Sequence, residues 1–199
     1  MHEAFRDVKT IGHGQHKVLF LHGAGGGIKG IPERLCRELD VTVIAPLAAS
    51  GKSWWDKREM FELFMDREPL LPVADGIASL VKNEGISAAV GYSQGAVALL
   101  EAWAGRPDMR LDTVVASCGT LLGLWEDRDR YLGAGGHPTR IFLSAHRRDP
   151  KVPWFMVKQT RKFLKRFDTR FSFDKARSHD FFFDEDAVRA RLGSGLISR

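Results

Sequence analysis

Residues 87–103 read SAAVGYSQGAVALLEAW: a short run of small apolar residues, then Gly-Tyr-Ser-Gln-Gly, then an amphipathic helical pattern. A strand that reverses into a helix within so few residues must turn at Ser93 in a strained backbone conformation, and Gly91 and Gly95 let the two elements approach closely. Such an elbow lifts the Ser93 side chain out of the sheet and points the N–H groups of the first helical turn at whatever the hydroxyl attacks. The same G-x-S-x-G spacing also suits a tight βα turn with a capping serine, so its surroundings decide which it is.

Outward from this turn, short β-branched apolar runs alternate with helical periods, the pattern of an α/β protein with a mostly parallel sheet of about six or seven strands flanked by helices. Strands are expected at 17–21 (KVLFL), 41–46 (VTVIAP), 88–92 (AAVGY), 113–117 (TVVAS), 140–144 (RIFLS) and 170–174 (RFSFD). Helices are expected at 31–38, 73–83, 94–104 and 154–167, with a last one near 184–192. The residues before Lys17 leave room for one antiparallel edge strand. No insertion is long enough for a separate lid, so residues 1–199 are expected to form one domain.

With 199 residues, 44% hydrophobic and 28% charged, the chain has the make-up of a soluble globular domain able to bury roughly 70% of its unfolded surface. No apolar run reaches the length of a membrane span and MHEAFRDVKT has no hydrophobic signal core, which predicts a cytoplasmic protein. Cys36 and Cys118 are too few for a disulfide framework and lack metal-ligand spacing, so both read as reduced thiols in or near the core.

In open α/β sheets the working residues lie on loops at the carboxyl ends of the strands. After the first expected strand comes LHGAGGG (21–27), whose small residues leave backbone N–H groups unobstructed and suited to an anion. Beside the elbow that anion is the oxyanion of a tetrahedral intermediate, with the N–H groups of Ala24 and Gln94 as donors. Gly25, Gly27 and Gly30 also satisfy a dinucleotide-binding G-x-G-x-x-G, but that motif expects an acidic residue at the end of the next strand, where Ala45 and Pro46 stand. GKS at 51–53 suggests a P-loop, yet position 46 would have to be glycine and is Pro46. Neither nucleotide site fits.

A serine hydroxyl needs a base to take its proton, and the base needs an acid to fix its tautomer. Asp149 follows the fifth expected strand and His179 the sixth, giving the chain order Ser93, Asp149, His179. Asp127 and Asp129 lie in a charged, solvated stretch, Asp174 ends its strand too early, and His137 precedes its strand. His146 competes as base but sits on the acid loop, which favours a structural or pocket-rim role.

Taken in order, LHGAG, SWWD (53–56), GYSQG, SCGT (117–120), RRDPKVP and SH (178–179) resemble the signatures of the carboxylesterase and phospholipase-type branch of the α/β-hydrolases, which includes the acyl-protein thioesterases. The resemblance covers nearly the whole chain. It implies the α/β-hydrolase fold, Ser93 as nucleophile, His179 as base, Asp149 as its acid, and Ala24 and Gln94 as oxyanion donors. The chain departs from the pattern at His146, where the family often has a small residue or glycine, and in its shortened N-terminal strands.

The expected activity is hydrolysis of a small carboxylic ester through an acyl-enzyme, with no metal or organic cofactor. An acyl-thioesterase and an inert hydrolase-fold binding protein are the alternatives. Trp54 and Trp55 either line the substrate pocket or pack beneath a loop. Tyr92 reads as an elbow packing residue, and Phe181, Phe182 and Phe183 as anchors for the loop carrying His179. Residues 147–177 hold 11 basic and 3 acidic residues, a local charge of +8 against −3 for the rest. On the helix there, Lys158, Arg161, Lys162 and Lys165 read first as a solvated face; attraction of anionic substrates or an acidic membrane surface is the alternative. No recognition motif for nucleic acid accompanies them, and nothing in the sequence reports an oligomeric state.

Overall fold

Small and β-branched residues in the expected strands alternate between two apolar layers. Leu19, Leu21, Ile44, Ala89, Val114, Ala116, Ile141 and Leu143 join one buried cluster, whereas Val18, Phe20, Val43, Ala45, Ala88, Val90, Val115 and Phe142 join the other. Successive side chains of a strand point to opposite faces, so a sheet built this way is covered on both. A computed structural model of the chain describes residues 3–26, 31–55, 68–122, 131, 138–175 and 178–179.

The strands are β1 (Phe5–Ile11), β2 (His16–Leu21), β3 (Val41–Ala48), β4 (Ala88–Tyr92), β5 (Thr113–Ser117), β6 (Arg140–His146) and β7 (Asp168–Asp174). They form one sheet in the order β1-β3-β2-β4-β5-β6-β7. β1 runs antiparallel to β3 and every other neighbour is parallel, as the sequence pattern predicts. Exposed Arg6, Asp7 and Lys9 on β1 discourage further strand addition at that edge.

The described α-helices are α1 (Ile31–Leu39), α2 (Leu71–Glu84), α3 (Gln94–Gly105) and α4 (Trp154–Leu164). Two differ from expectation. The stretch 94–104 is not amphipathic in its setting: every residue from Gly95 to Ala104 is buried, the behaviour of a helix enclosed on all sides. Its one charged residue, Glu101, is satisfied there by the Leu122 N–H (2.6 Å) and the Tyr131 hydroxyl (2.6 Å). α4 ends at Leu164 rather than at 167, because Lys165 and Phe167 fold into a closing turn, with Phe167 N–H donating to Leu164 O at 3.0 Å. Phe167 keeps its apolar role by packing edge-on against Trp103, and β7 starts at Asp168.

The parallel register brings the carboxyl ends of β2, β4, β5, β6 and β7 to one edge, with Leu21 opposite Gly91, Tyr92 opposite Ser117, Ser117 opposite Ser144, and His146 opposite Asp174. The expected helix near 184–192, Phe181–Phe183, Gly27, Gly30, Asp127, Asp129 and His137 lie outside the described residues. Among the described residues, no helix is long and apolar enough to cross a membrane.

Candidate active site

Ser93 turns from β4 into α3 with φ 52° and ψ −118°, a conformation that costs a non-glycine residue about 1–3 kcal/mol. The two flanking glycines have separate reasons to be glycine. A Cβ on Gly95 would lie 2.3 Å from Leu21 O and 2.6 Å from His22 O, so the start of α3 rests directly on the end of β2. A Cβ on Gly91 would lie 2.7 Å from Ala96 Cα, where the helix folds back over its own strand. The turn is further held by Ser93 N–H donating to Ser117 O (2.9 Å) and Val97 N–H donating to Ser93 O (3.0 Å).

The loops after β6 and β7 bring Asp149 and His179 to this turn. Ser93 Oγ lies 2.7 Å from His179 Nε2, and His179 Nδ1 lies 2.8 Å from each carboxylate oxygen of Asp149. With Nδ1–H donated to the carboxylate, Nε2 presents a lone pair to the serine hydroxyl. The Asp149 side chain is 1% exposed and that of His179 20% exposed. Burial pushes the Asp149 pKa up, but hydrogen bonds from His179 and from the Lys151 and Val152 N–H groups outweigh it and leave the carboxyl below its ordinary value. The carboxylate therefore stays ionised where it is needed. Tyr92, expected only to pack, also donates its hydroxyl to the backbone oxygen of His179, and its ring lies tilted beside the imidazole at 5.8 Å.

The glycine-rich loop abuts the elbow. A Cβ on Gly23 would lie 2.8 Å from the Tyr92 ring and 3.2 Å from Ser93 Cβ, which places Ala24 next to the serine. Neither the Ala24 N–H nor the Gln94 N–H has an acceptor among the described residues. The Gln94 side chain has a second job that its sequence position does not reveal: its Oε1 accepts from Ser53 Oγ (2.9 Å) and from Trp54 N–H (3.3 Å), tying the 50–55 segment to α3.

His22 is the residue that sequence reasoning passed over. It is fully buried at the end of β2, with Nδ1–H donating to Gly23 O (2.7 Å) and Nε2 accepting the Ala48 N–H (3.3 Å). The bond from Ala48 requires the neutral ring, and burial lowers its pKa below the ordinary value, against the opposing effect of the Gly23 hydrogen bond. Trp54 stacks on it at 4.6 Å and donates its indole N–H to His22 O at 2.7 Å. Trp54 and Trp55 are 5% and 6% exposed and belong to the core cluster. Of the two roles considered for Trp54, these contacts are those of an aromatic packed beneath a loop. The available signal for His22 was a polar residue directly between a buried strand and a glycine run.

A base held neutral by burial destabilises the fold when it must be protonated. The unfolded imidazole titrates near about pH 6.5, so the contribution of neutral His22 is complete above that value and is lost as pH falls below it. His22→Gln is expected to lower Tm at pH 8, with the gap to the wild type narrowing on going to about pH 5. Parallel Tm profiles from thermal melts across that range would contradict the assignment.

No protein-family model matches the chain, and neither does any curated protein. Solved structures do match. A phospholipase/carboxylesterase from Dyadobacter fermentans superposes with a TM-score of 0.73 at 24% identity, covering 95% of this chain and 96% of that one. Acyl-protein thioesterase 2 of Zea mays gives 0.70 at 19% identity (96% and 99%), and the Bacillus cereus carboxylesterase 0.61 at 15% (94% and 93%). The chain has the α/β-hydrolase fold.

Within this α/β-hydrolase fold His146 is 4% exposed, and its Nδ1 lies 3.0 Å from Asp174 Oδ1. The pair joins the end of β6 to the end of β7. With Arg147 N–H donating to Asp174 O (2.9 Å) and Asp149 N–H to His146 O (3.2 Å), it braces the loops that present Asp149 and His179. That is the structural alternative of the two roles considered for His146.

Proposed function

We propose that the protein is a serine hydrolase that cleaves small carboxylic esters through an acyl-enzyme. The observation that carries this reading is the continuous chain of contacts from Ser93 Oγ to His179 Nε2 (2.7 Å) and from His179 Nδ1 to Asp149 (2.8 Å), set on a strained elbow at the carboxyl edge of the sheet. Ser93 Oγ attacks the ester carbonyl while His179 Nε2 takes its proton. Asp149 holds the ring in the tautomer that can accept this proton and stabilises the imidazolium that forms. The N–H groups of Ala24 and Gln94 receive the oxyanion, each worth about 3–4 kcal/mol in an acyl-transfer transition state. His179 then protonates the leaving alkoxide, water attacks the acyl-enzyme with His179 again as base, and the acid is released. None of these steps calls on a metal or an organic cofactor.

The similarity to a protein described as an acyl-protein thioesterase supports a second reading, hydrolysis of acyl-thioesters by the same residues. Turnover of p-nitrophenyl esters and matched acyl-thioesters of graded length separates the two readings. Labelling by a fluorophosphonate probe, blocked by Ser93→Ala, tests both against an inert binding protein. An unlabelled wild type would sink the hydrolase reading.

Lys158, Arg161 and Lys162 on α4 and Lys165 in the turn that follows it are all exposed, but they are not equivalent. Arg161 lies over the rings of Phe171 (5.2 Å) and Phe173 (5.3 Å), and so packs α4 against β7. The three lysines are read as a solvated face. Replacing Lys158, Lys162 and Lys165 together by Gln is expected to leave the ratio of kcat/KM for an anionic and a neutral ester of equal length unchanged at low and high salt. A selective loss for the anionic ester, confined to low salt, would instead mean electrostatic steering of a substrate or surface.

A further inference from the structure

Cys118 follows β5 at the same sheet edge as the catalytic loops. It is fully buried and held at φ 53°, with its N–H donating to Ser144 O at 2.9 Å. The ester hydrolysis proposed above gives it no part. Yet its Sγ, one carboxylate oxygen of Asp149 and one ring nitrogen of His179 all lie within 4.8 Å of one another. Thiolate, imidazole and carboxylate are the donor types that zinc takes from proteins. Bonds of about 2.0–2.3 Å in a tetrahedron place donor atoms about 3.3–3.8 Å apart. Cys118 Sγ therefore needs to close on the other two donors by no more than about 1.5 Å, while the 2.8 Å His179–Asp149 contact opens by about 0.5 Å, both within reach of side-chain rotations.

We propose that Cys118, Asp149 and His179 form an inhibitory site for zinc or a similarly thiophilic divalent cation, leaving one coordination position open. The site regulates the hydrolase, so the loss of turnover rests on the catalytic reading above, whereas metal binding does not. The nitrogen that faces Asp149 is Nδ1. A cation held there takes the Nδ1 lone pair, and the ring proton moves to Nε2, opposite Ser93 Oγ. The base then has no lone pair to receive the serine proton. Charges balance: the thiol releases one proton, and thiolate plus carboxylate neutralise the dication. Of the three side chains His179, 20% exposed, is the one that meets solvent, whereas Cys118 and the Asp149 side chain are enclosed.

The test uses the full, reduced chain and cobalt(II) as a spectroscopic stand-in for zinc. Cobalt is expected to bind at one equivalent with a thiolate-to-metal charge-transfer band that is absent in Cys118→Ser and in Cys118→Gly, the latter free of any φ penalty. The band should persist in Cys36→Ser, which removes the chain's only other cysteine. Zinc should displace the cobalt and lower ester turnover at least about tenfold, reversibly on chelation. The Cys118 variants, active without metal, should need about tenfold or more zinc for equal inhibition, as loss of a soft ligand requires. Absence of the band, or equal zinc sensitivity of wild type and both Cys118 variants, would overturn the proposal while leaving the hydrolase reading standing. A band in a protein that no fluorophosphonate labels would do the reverse, keeping the metal site and removing the hydrolase.

Discussion

Ser93→Ala and His179→Ala are each expected to lower kcat for a p-nitrophenyl ester by about four or more orders of magnitude without unfolding the protein. In the proposed mechanism the two side chains act as one unit: without the hydroxyl there is no acyl-enzyme, and without the imidazole the hydroxyl keeps its proton. The double variant should be no worse than either single one by more than a small factor. The fold should survive because the contacts that hold the site are largely main-chain. Ser93 N–H and O keep their bonds to Ser117 and Val97, and Tyr92 bonds the backbone oxygen of His179 rather than its ring. Steady-state kinetics beside a thermal melt of each variant decide the matter, and a Ser93→Ala protein retaining a tenth of wild-type turnover would rule out serine catalysis.

Asp149→Asn is expected to cost kcat about four orders of magnitude as well, by a different route. The Asn amide can donate to Nδ1, which favours the tautomer with its proton on Nε2 and turns the base away from Ser93. A second readout separates this effect from general damage. The folded pKa of Asp149 is lowered, so its ionised form contributes stability that is complete above the unfolded carboxylate value of about 3.9 and is lost as pH falls through the lower folded value. The wild type should therefore lose its stability advantage over Asp149→Asn on acidification below about pH 4. A variant with near-wild-type kcat, or a stability gap constant down to about pH 3, would reassign the acid.

The serine elbow was legible because its constraints are local. Gly91, Ser93 and Gly95 are needed where a strand folds back into a helix; the clash that forbids a side chain at Gly91 comes from Gly95 and Ala96 of the turn itself, whereas the one at Gly95 comes from Leu21 and His22 at the end of β2 and is a tertiary constraint. The places of Asp149 and His179 were legible from their positions after strands. His22, the Gln94 side chain and the partner of Tyr92 were not, since each acts on something distant in sequence: His22 on Ala48, Gln94 on Ser53, Tyr92 on His179. The length of α4 was misjudged for a related reason. Phe163, Leu164 and Phe167 keep helical spacing, but Phe167 finds its partner in Trp103 from within a turn.

By itself the sequence determined the order and type of the described strands and α-helices, because apolar period and turn chemistry depend on neighbours along the chain. It also determined which residues stand after which strands. Tertiary structure decided how far apart those residues lie. The 2.7 Å and 2.8 Å contacts among Ser93, His179 and Asp149, and the approach of Cys118 to the last two, follow from the order in which β4, β5, β6 and β7 lie side by side. It also decided the environment of each group: which histidine is enclosed and neutral, which carboxylate is held ionised, and that the helix after the elbow is buried on every side. Burial and distance depend on every element packed around a residue, and no window of sequence contains them.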